Sequence, residues 1–349
     1  MTTLNQRISL LSFLGDLFRD ISLPNPKSRV TEAEQLKDAL PVIQESNPWF
    51  TPESVYRAIS IWGQTLSPGA ISEWISKYNL SGIPRASRSV MVIMAGNIPM
   101  VGMHDFICTL LAGHRFIGKL SSKDKLLFPL IKKWITNFDD DWHAYIDFTE
   151  KAANDVEVVI ATGSNNTSRI IREAYSGTAS IIRHNRNSVA LLTGKESDAD
   201  LRGLADDILL FFGLGCRSVS RLFTPPGYDL SKLAGIINDY QFSLPVSMLN
   251  NLRYQKALAA LHEYRFIDAG KICFIRNEGL NSPVGTVYYS DYNDVKDIEI
   301  FRSVNRNNIQ CCIGDPEIWD SVTGFGNAQS PALDDYADGI DTMKFLIDL

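Results

Sequence analysis

SVMVIMAGNIPMVGMHDFICTLLAGHRFIGKL, residues 89–120, is the stretch that decides the fold. Ser89–Ala95 is a short continuous apolar run, the pattern of a strand buried on both faces. Gly96-Asn97-Ile98-Pro99 breaks it, and Val101–Ala112 then has the length and apolar content of a helix. Arg115–Leu120 is a strand again. Towards the C-terminus the alternation continues: a helix over Ser121–Phe138, a strand at Val156–Ala161, Gly163-Ser164, and a helix through Arg172 and Ala174. Two more strands follow at Ala179–Arg183 and Val189–Leu192. Strands alternating with helices predict a mainly parallel sheet covered on both faces.

A helix over Leu201–Phe212 runs into Gly213-Leu214-Gly215-Cys216. Val219–Phe223 is a strand, Pro225-Pro226-Gly227 a turn, and Ser231–Tyr240 a helix. Ile272–Ile275, Val284–Tyr289 and Ile309–Ile313 supply strands for a second α/β unit. Towards the N-terminus the pattern is helical. Leu10, Leu11, Leu14 and Phe18 share one face, Val55, Ile59 and Ile61-Trp62 another, and Thr51-Pro52-Glu53 is a capped helix start. Ser81-Gly82-Ile83-Pro84 closes this region. Asp334, Asp335, Asp338 and Asp341, with Tyr336 and Phe345 among them, predict an ordered C-terminal segment.

A chain of 349 residues accommodates two domains, and 45% apolar with 21% charged residues is the balance of a globular protein. A net charge of −6 excludes a general nucleic-acid binder. Five cysteines without a CxxC pair (108, 216, 273, 311 and 312) fit neither a disulfide scaffold nor a zinc site, and no metal is expected. Free thiols point to a reducing compartment. Ile8–Phe18 is too interrupted for a signal peptide, and no apolar run is long enough for a membrane span, so the cytoplasm is the expected location.

Three features carry chemistry. Cys216 lies at the end of an apolar helix beside glycine, where the backbone can turn sharply and approach a ligand. Arg217 and Arg221 could raise its thiolate fraction; the alternative is a buried structural thiol, the commoner fate of a lone cysteine. Asn97, at a strand end, could donate to a developing oxyanion or merely serve its turn. Thr162-Gly163-Ser164-Asn165-Asn166 opens a helix with N–H groups able to meet an anion, or is a plain cap; it holds one glycine, not three. Lys119 could reach a ribose or phosphate, or stay solvated.

In this order and spacing, these features resemble the aldehyde dehydrogenase superfamily, and within it the acyl-thioester reductases related to LuxC. Gly96-Asn97-Ile98-Pro99 is similar to the superfamily's Asn-Phe-Pro element, Ala112-Gly113…Lys119 to the element ending in a cofactor-contacting lysine, Ala161-Thr162-Gly163-Ser164 to its Phe-Thr-Gly-Ser turn, and Leu214-Gly215-Cys216 to the nucleophile loop. Phe325–Pro331 and Asp335–Gly339 resemble the C-terminal signature of the LuxC-like subgroup. The resemblance implies Cys216 as nucleophile, Asn97 and the Cys216 N–H as oxyanion donors, and Lys119, Ser121, Thr162, Gly163 and Ser164 at the cofactor. Glu278, before Ser282-Pro283-Val284, is near the place of the ribose-binding glutamate.

Hydrolytic aldehyde dehydrogenases carry a water-activating glutamate where this chain reads Arg183-His184-Asn185-Arg186-Asn187-Ser188. His184 is the substitute base to weigh there. The expected protein is therefore a nicotinamide-dependent acyl-thioester reductase acting on an acyl-CoA or a carrier-bound acyl group. Its fold is expected to be aldehyde-dehydrogenase-like: a helical region at 1–84, a Rossmann-type cofactor domain at 85–212, a catalytic domain at 213–318, and a segment at 319–349 returning to the cofactor domain. Ser121, Ser122 and Lys123 favour NADPH over NADH. An acyl phosphate reductase, a hydrolytic aldehyde dehydrogenase and an inactive scaffold for a carrier protein or partner enzyme are the alternatives, and homo-oligomers are usual in the superfamily.

Overall fold

The computed structural model describes residues 2–80, 87–151 and 155–349, so the turn expected at Ser81–Pro84 lies outside the described residues. The chain divides into two compact units, 1–185 with 330–349, and 186–329.

The first unit opens with four helices: α1 (Leu4–Ile21), α2 (Val30–Ser46), α3 (Pro52–Thr65) and α4 (Pro68–Ser76). Thr3 starts α1 with a reciprocal cap to Gln6, and Thr51 caps α3 with Pro52 just inside it. Leu10, Leu11, Leu14 and Phe18 are buried as their spacing requires. The alternating part follows as β1 (Ser89–Ile93), α5 (Met103–Leu111), β2 (Arg115–Lys119), α6 (Leu127–Phe138), β3 (Ile146–Thr149), β4 (Val158–Thr162), α7 (Asn165–Ala174) and β5 (Ala179–Arg183). The five strands form one parallel sheet in the order β3-β2-β1-β4-β5. On one face Met91, Val159 and Ala161 pack with Ile171 and Tyr175 around α7. On the other, Phe106 of α5 and Phe128 of α6 meet edge to face, and Phe106 does the same to Phe116 of β2.

The sequence expectation placed the start of α6 too early. Ser121–Leu126 is an irregular turn, where Asp124 is buried and its carboxylate accepts the Leu127 N–H at 3.4 Å, at the start of the helix.

The second unit contains β6 (Asn187–Leu191), α8 (Asp198–Leu209), β7 (Val219–Thr224), α9 (Ser231–Asn238), α10 (Val246–Leu261), β8 (Phe266–Asp268), β9 (Cys273–Arg276), β10 (Thr286–Asp291), α11 (Val295–Val304) and β11 (Ile309–Ile313). Its sheet runs β11-β6-β7-β10-β9-β8, parallel except for the β8/β9 pair. The compact unit therefore begins at Arg186, not at 213, and gives way at Ser330, not at 319. The reason is pairing: β6 hydrogen-bonds to β7 and β11, which carries β6 and α8 into the second sheet.

The last helix, α12 (Thr342–Ile347), rejoins the first unit against α5. Arg183 ends β5 with its side chain 3% exposed, and its guanidinium donates to both Asp105 carboxylate oxygens at 2.7 and 2.9 Å. A third bond reaches Thr342 Oγ1 at 2.8 Å. Burial opposes the Arg183 charge, and the Asp105 carboxylate more than offsets it.

Burial lifts two other carboxyls, Asp124 to about 6 and Asp207 to about 7, from 3.8. The native state thus holds protons that the unfolded chain releases. The stability linked to these groups is fully present below about pH 4 and is lost as pH rises through 6 to 7. Urea unfolding at about pH 4.5 and pH 7.5 should show this fall, on the order of 1–2 kcal/mol for Asp124, and Asp124→Asn should remove that share. An unchanged slope in the variant would assign the pH dependence elsewhere.

Candidate active site

In the first unit the sheet changes direction at β1. The chain proceeds from β1 to β2 and β3 on one side, whereas β4 and β5 lie on the other. Ligands of open parallel sheets gather at the carboxyl ends of strands beside such a switch. Ile93 pairs with Lys119 on one side and Ala161 on the other, so the loops after β1, β2 and β4 leave from neighbouring positions.

The structure thereby brings Asn97, Lys119, Ser121, Thr162, Gly163 and Ser164 to one edge. Asn97 is half-buried in a loop held by Asn47, whose amide donates to the Gly96 carbonyl at 3.1 Å. A Cβ on Gly96 would run into Ser121 Oγ and lie 2.8 Å from Ser121 Cβ, so only glycine lets these loops touch. Gly163 is similarly confined: a Cβ there would meet Thr167 Cγ2 at 2.9 Å. Ser164 caps α7 by accepting the Thr167 N–H at 3.3 Å. His184 Nε2 lies 3.2 Å from an Arg172 guanidinium nitrogen.

In the second unit α8 ends at Leu209 and the chain turns through Phe211, Phe212 and Gly213 with φ of 55°, 59° and 73°. Two phenylalanines in the left-handed region cost about 1–2 kcal/mol each. Both rings are buried, and Phe212 packs on Phe242 with centroids 5.5 Å apart. The turn delivers a half-buried Cys216 just before β7. Ser218 N–H closes onto the Gly215 carbonyl at 3.0 Å, and Ser188 Oγ donates to the Cys216 carbonyl at 3.0 Å.

The other thiols are not poised as nucleophiles. Burial pushes Cys311 to about 12 and Cys273 to about 11, and it also raises Cys108 and Cys312. Arg217 acts electrostatically on Cys311, two strands away from its own loop.

Arg221, which the sequence offered as a neighbour for Cys216, is held by aromatic and hydrogen-bond contacts. Its guanidinium is stacked between Phe223 and Phe301, 4.3 and 4.6 Å from their centroids. It donates to the Glu278 carbonyl and to Ser290 Oγ at 2.7 Å. Glu278 has an exposed side chain in the β9–β10 loop, which Ser220 ties to the sheet by donating to the Leu280 and Ser188 carbonyls at 2.9 and 3.2 Å. Ser188 and Ser220 were not singled out in the sequence, because an isolated serine at a strand start carries no pattern. A cavity of about 40 Å³ beside Gly213 and Ser220 has room for water but not for an alkyl chain. Among the described residues no helix is long and apolar enough to cross a membrane, and no group of three or more His, Cys, Asp or Glu side chains is arranged to hold a metal ion.

Residues 80–233 match the family described as Acyl-CoA reductase (LuxC). No curated protein matches the chain. The fold is similar to that of aldehyde dehydrogenase 21 from Physcomitrella patens, solved in complex with the reaction product succinate. The TM-score is 0.65 and the identity 12%, over 99% of this chain and 84% of that one. The NAD+ complex of an aldehyde dehydrogenase from Bacillus cereus gives a TM-score of 0.59 at 12% identity, over 90% and 72%. A Mycobacterium tuberculosis aldehyde dehydrogenase with NAD+ gives 0.57 at 12%, over 90% and 73%. At such identities the likeness is one of fold.

Proposed function

We propose that this chain, whose residues 80–233 match the family described as Acyl-CoA reductase (LuxC) and whose fold is aldehyde-dehydrogenase-like, reduces an acyl thioester to the aldehyde through an acyl-Cys216 enzyme. The observation that carries this reading is the contrast among the thiols. Half-buried Cys216 lies beside Gly215 in the turn that follows the left-handed Phe211–Gly213 stretch, while burial raises the other four.

A nicotinamide cofactor fits the first unit's switch point. Glycine at 96 and 163 keeps the strand ends open, and a capped helix begins at Ser164. Lys119, Ser121, Thr162, Gly163 and Ser164 would hold it there. The only acid among residues 119–126 is Asp124, which is buried against α6, so no carboxylate opposes a 2′-phosphate and NADPH is favoured. When bound, the cofactor supplies one hydride.

The Cys216 thiolate attacks the thioester carbonyl, and the C–S bond to the carrier thiol breaks. The Cys216 N–H would carry the oxyanion, with the Asn97 amide as the second donor that the family resemblance assigns. With the acyl carbon reduced, Cys216 would be the leaving group, its thiolate departing as the aldehyde is released. Overall, thioester, NADPH and one proton give aldehyde, thiol and NADP+. Water-driven release of acid is disfavoured, because the stretch at 183–188 lacks a glutamate.

The test is NADPH oxidation with a panel of acyl-CoA thioesters and with an acyl-carrier substrate, the aldehyde being trapped and identified. Turnover should appear, and Asn97→Ala should lower kcat by about 10²–10³-fold. Turnover with acyl phosphates alone would move the reading to that substrate class. Failure to bind either nucleotide would leave a scaffold for a carrier or partner enzyme.

A further inference from the structure

The segment 325–329 has no role in the reaction as described, yet it is fastened to the second unit by unusually specific contacts. Asp207, on the last turn of α8, has no exposed surface. Its Oδ2 accepts the Gly326 N–H at 2.7 Å and its Oδ1 accepts the Ala328 N–H at 2.9 Å. One turn earlier, a Cβ on Gly203 would lie 2.8 Å from both Gly326 N and Phe325 C, so helix and segment meet backbone to backbone. Gly326 itself has φ of +83°. Both carboxylate oxygens are therefore spent on aligning a stretch of main chain.

The next residue leads to the nucleophile. Gln329 is 8% exposed, and its Nε2 donates to Ser218 Oγ at 3.2 Å. Ser218, 4% exposed, is the residue whose N–H closes the turn around Cys216 and Arg217. On the other side of that turn lie the left-handed Phe211, Phe212 and Gly213. A turn that runs against its local backbone preference needs outside contacts to fix it; the Gln329–Ser218 bond is one, and the Ser188 Oγ bond to the Cys216 carbonyl is another.

We infer that Asp207 and Gln329 are positioning residues for Cys216: the Asp207 carboxylate anchors segment 325–329 to α8, and Gln329 transmits that fixed point to Ser218, two residues past the nucleophile. The inference rests on Cys216 being the reactive thiol. Displacements of the order of 1 Å at a reacting centre can cost about 10²-fold in rate.

The experiment compares wild type, Gln329→Ala, Ser218→Ala and the double variant, with Asp207→Asn as an upstream probe. Cys216 alkylation by iodoacetamide is followed across pH by mass spectrometry, alongside kcat and KM for an acyl-CoA and thermal unfolding. Each single variant should lower kcat by about 10- to 100-fold with little change in KM, and the double variant should lose no more than either single one. The alkylation pH profile should shift in all of them. Gln329→Met, which keeps the length but has no amide to bond the Ser218 hydroxyl, should fail to restore the wild-type profile. An unchanged alkylation profile and kcat with a lowered unfolding temperature would reduce these residues to a structural role and overturn the inference, as would additive effects of Gln329→Ala and Ser218→Ala. If the wild type turns over no thioester, the proposed reaction fails, while the alkylation profiles still decide the positioning role. Should Asp207→Asn not fold, the Ser218 and Gln329 pair decides it.

Discussion

Cys216→Ala should lower thioester reduction by at least about 10⁴-fold, the scale on which removal of a covalent nucleophile acts, while the protein stays folded and binds nucleotide. The fold should survive because the contacts that hold this turn go to its main chain: Ser188 bonds the Cys216 carbonyl, and Ser218 N–H bonds the Gly215 carbonyl. Alanine keeps both. The variant therefore deletes a thiol and little else. Cys311→Ala and Cys273→Ala serve as controls, since burial lifts those thiols to about 12 and about 11 and so keeps them protonated. Both controls should retain turnover. Substantial activity in Cys216→Ala, or its loss in a control, would reassign the nucleophile.

Asp105→Ala should destabilise the first unit by about 3–5 kcal/mol, because it strands a buried guanidinium. Arg183 is 3% exposed at its side chain, and its Nε makes no hydrogen bond. With Asp105 gone, Thr342 Oγ1 remains as a neutral acceptor for one of its nitrogens. That loss is a large fraction of the total stability of a domain. Denaturant unfolding at neutral pH measures it, and Asp105→Asn, which keeps an acceptor but not the charge, should lie between wild type and Asp105→Ala. Replacing both partners with apolar residues should recover much of the loss, because the cost comes from an unpaired charge and not from a missing attraction. A loss below about 1 kcal/mol, the range of exposed pairs, would show that water reaches Arg183.

Where local pattern and burial agree, the chain is readable. Ser89–Ile93, Arg115–Lys119 and Ala179–Arg183 are strands because apolar runs of that length flanked by breaks have few other uses. The positions of Asn97 and Gly163 were readable for the same reason: both stand where a strand gives way to a loop. Several helices had no reading of their own: α10 and α11 carried none, and α2 and α4 were covered only by the helical expectation for 1–84. α10 buries only Met248, Leu252 and Ala259 while exposing Val246, Tyr254 and Leu261, so no single face stands out. α2 contains Pro41 and buries only Leu36, Leu40 and Ile43. β3, four residues at a sheet edge, is too short to show a period. Non-local facts were the least legible. The membership of β6 in the second sheet depends on strands reached much later in the chain, and Arg221 is held by two aromatic rings, one of them far away in sequence. The Asp207–Gly326 and Gln329–Ser218 bonds likewise join residues with no shared local signal.

The division of the chain into 1–185 with 330–349 and an uninterrupted 186–329 also has a consequence for synthesis on the ribosome. Domains tend to fold as units while the chain emerges. Here the outer unit has all five of its strands by Arg183 but still lacks 330–349 when the inner unit, 186–329, is already whole. The first unit must wait, with α5 still lacking α12, until His114 can meet the Leu346 carbonyl and Trp74 can donate to Tyr336. The nascent chain thus finishes the half that carries the cysteine before it closes the half that carries the sheet switch, and slow elongation between the two would prolong exposure of the α5 surface.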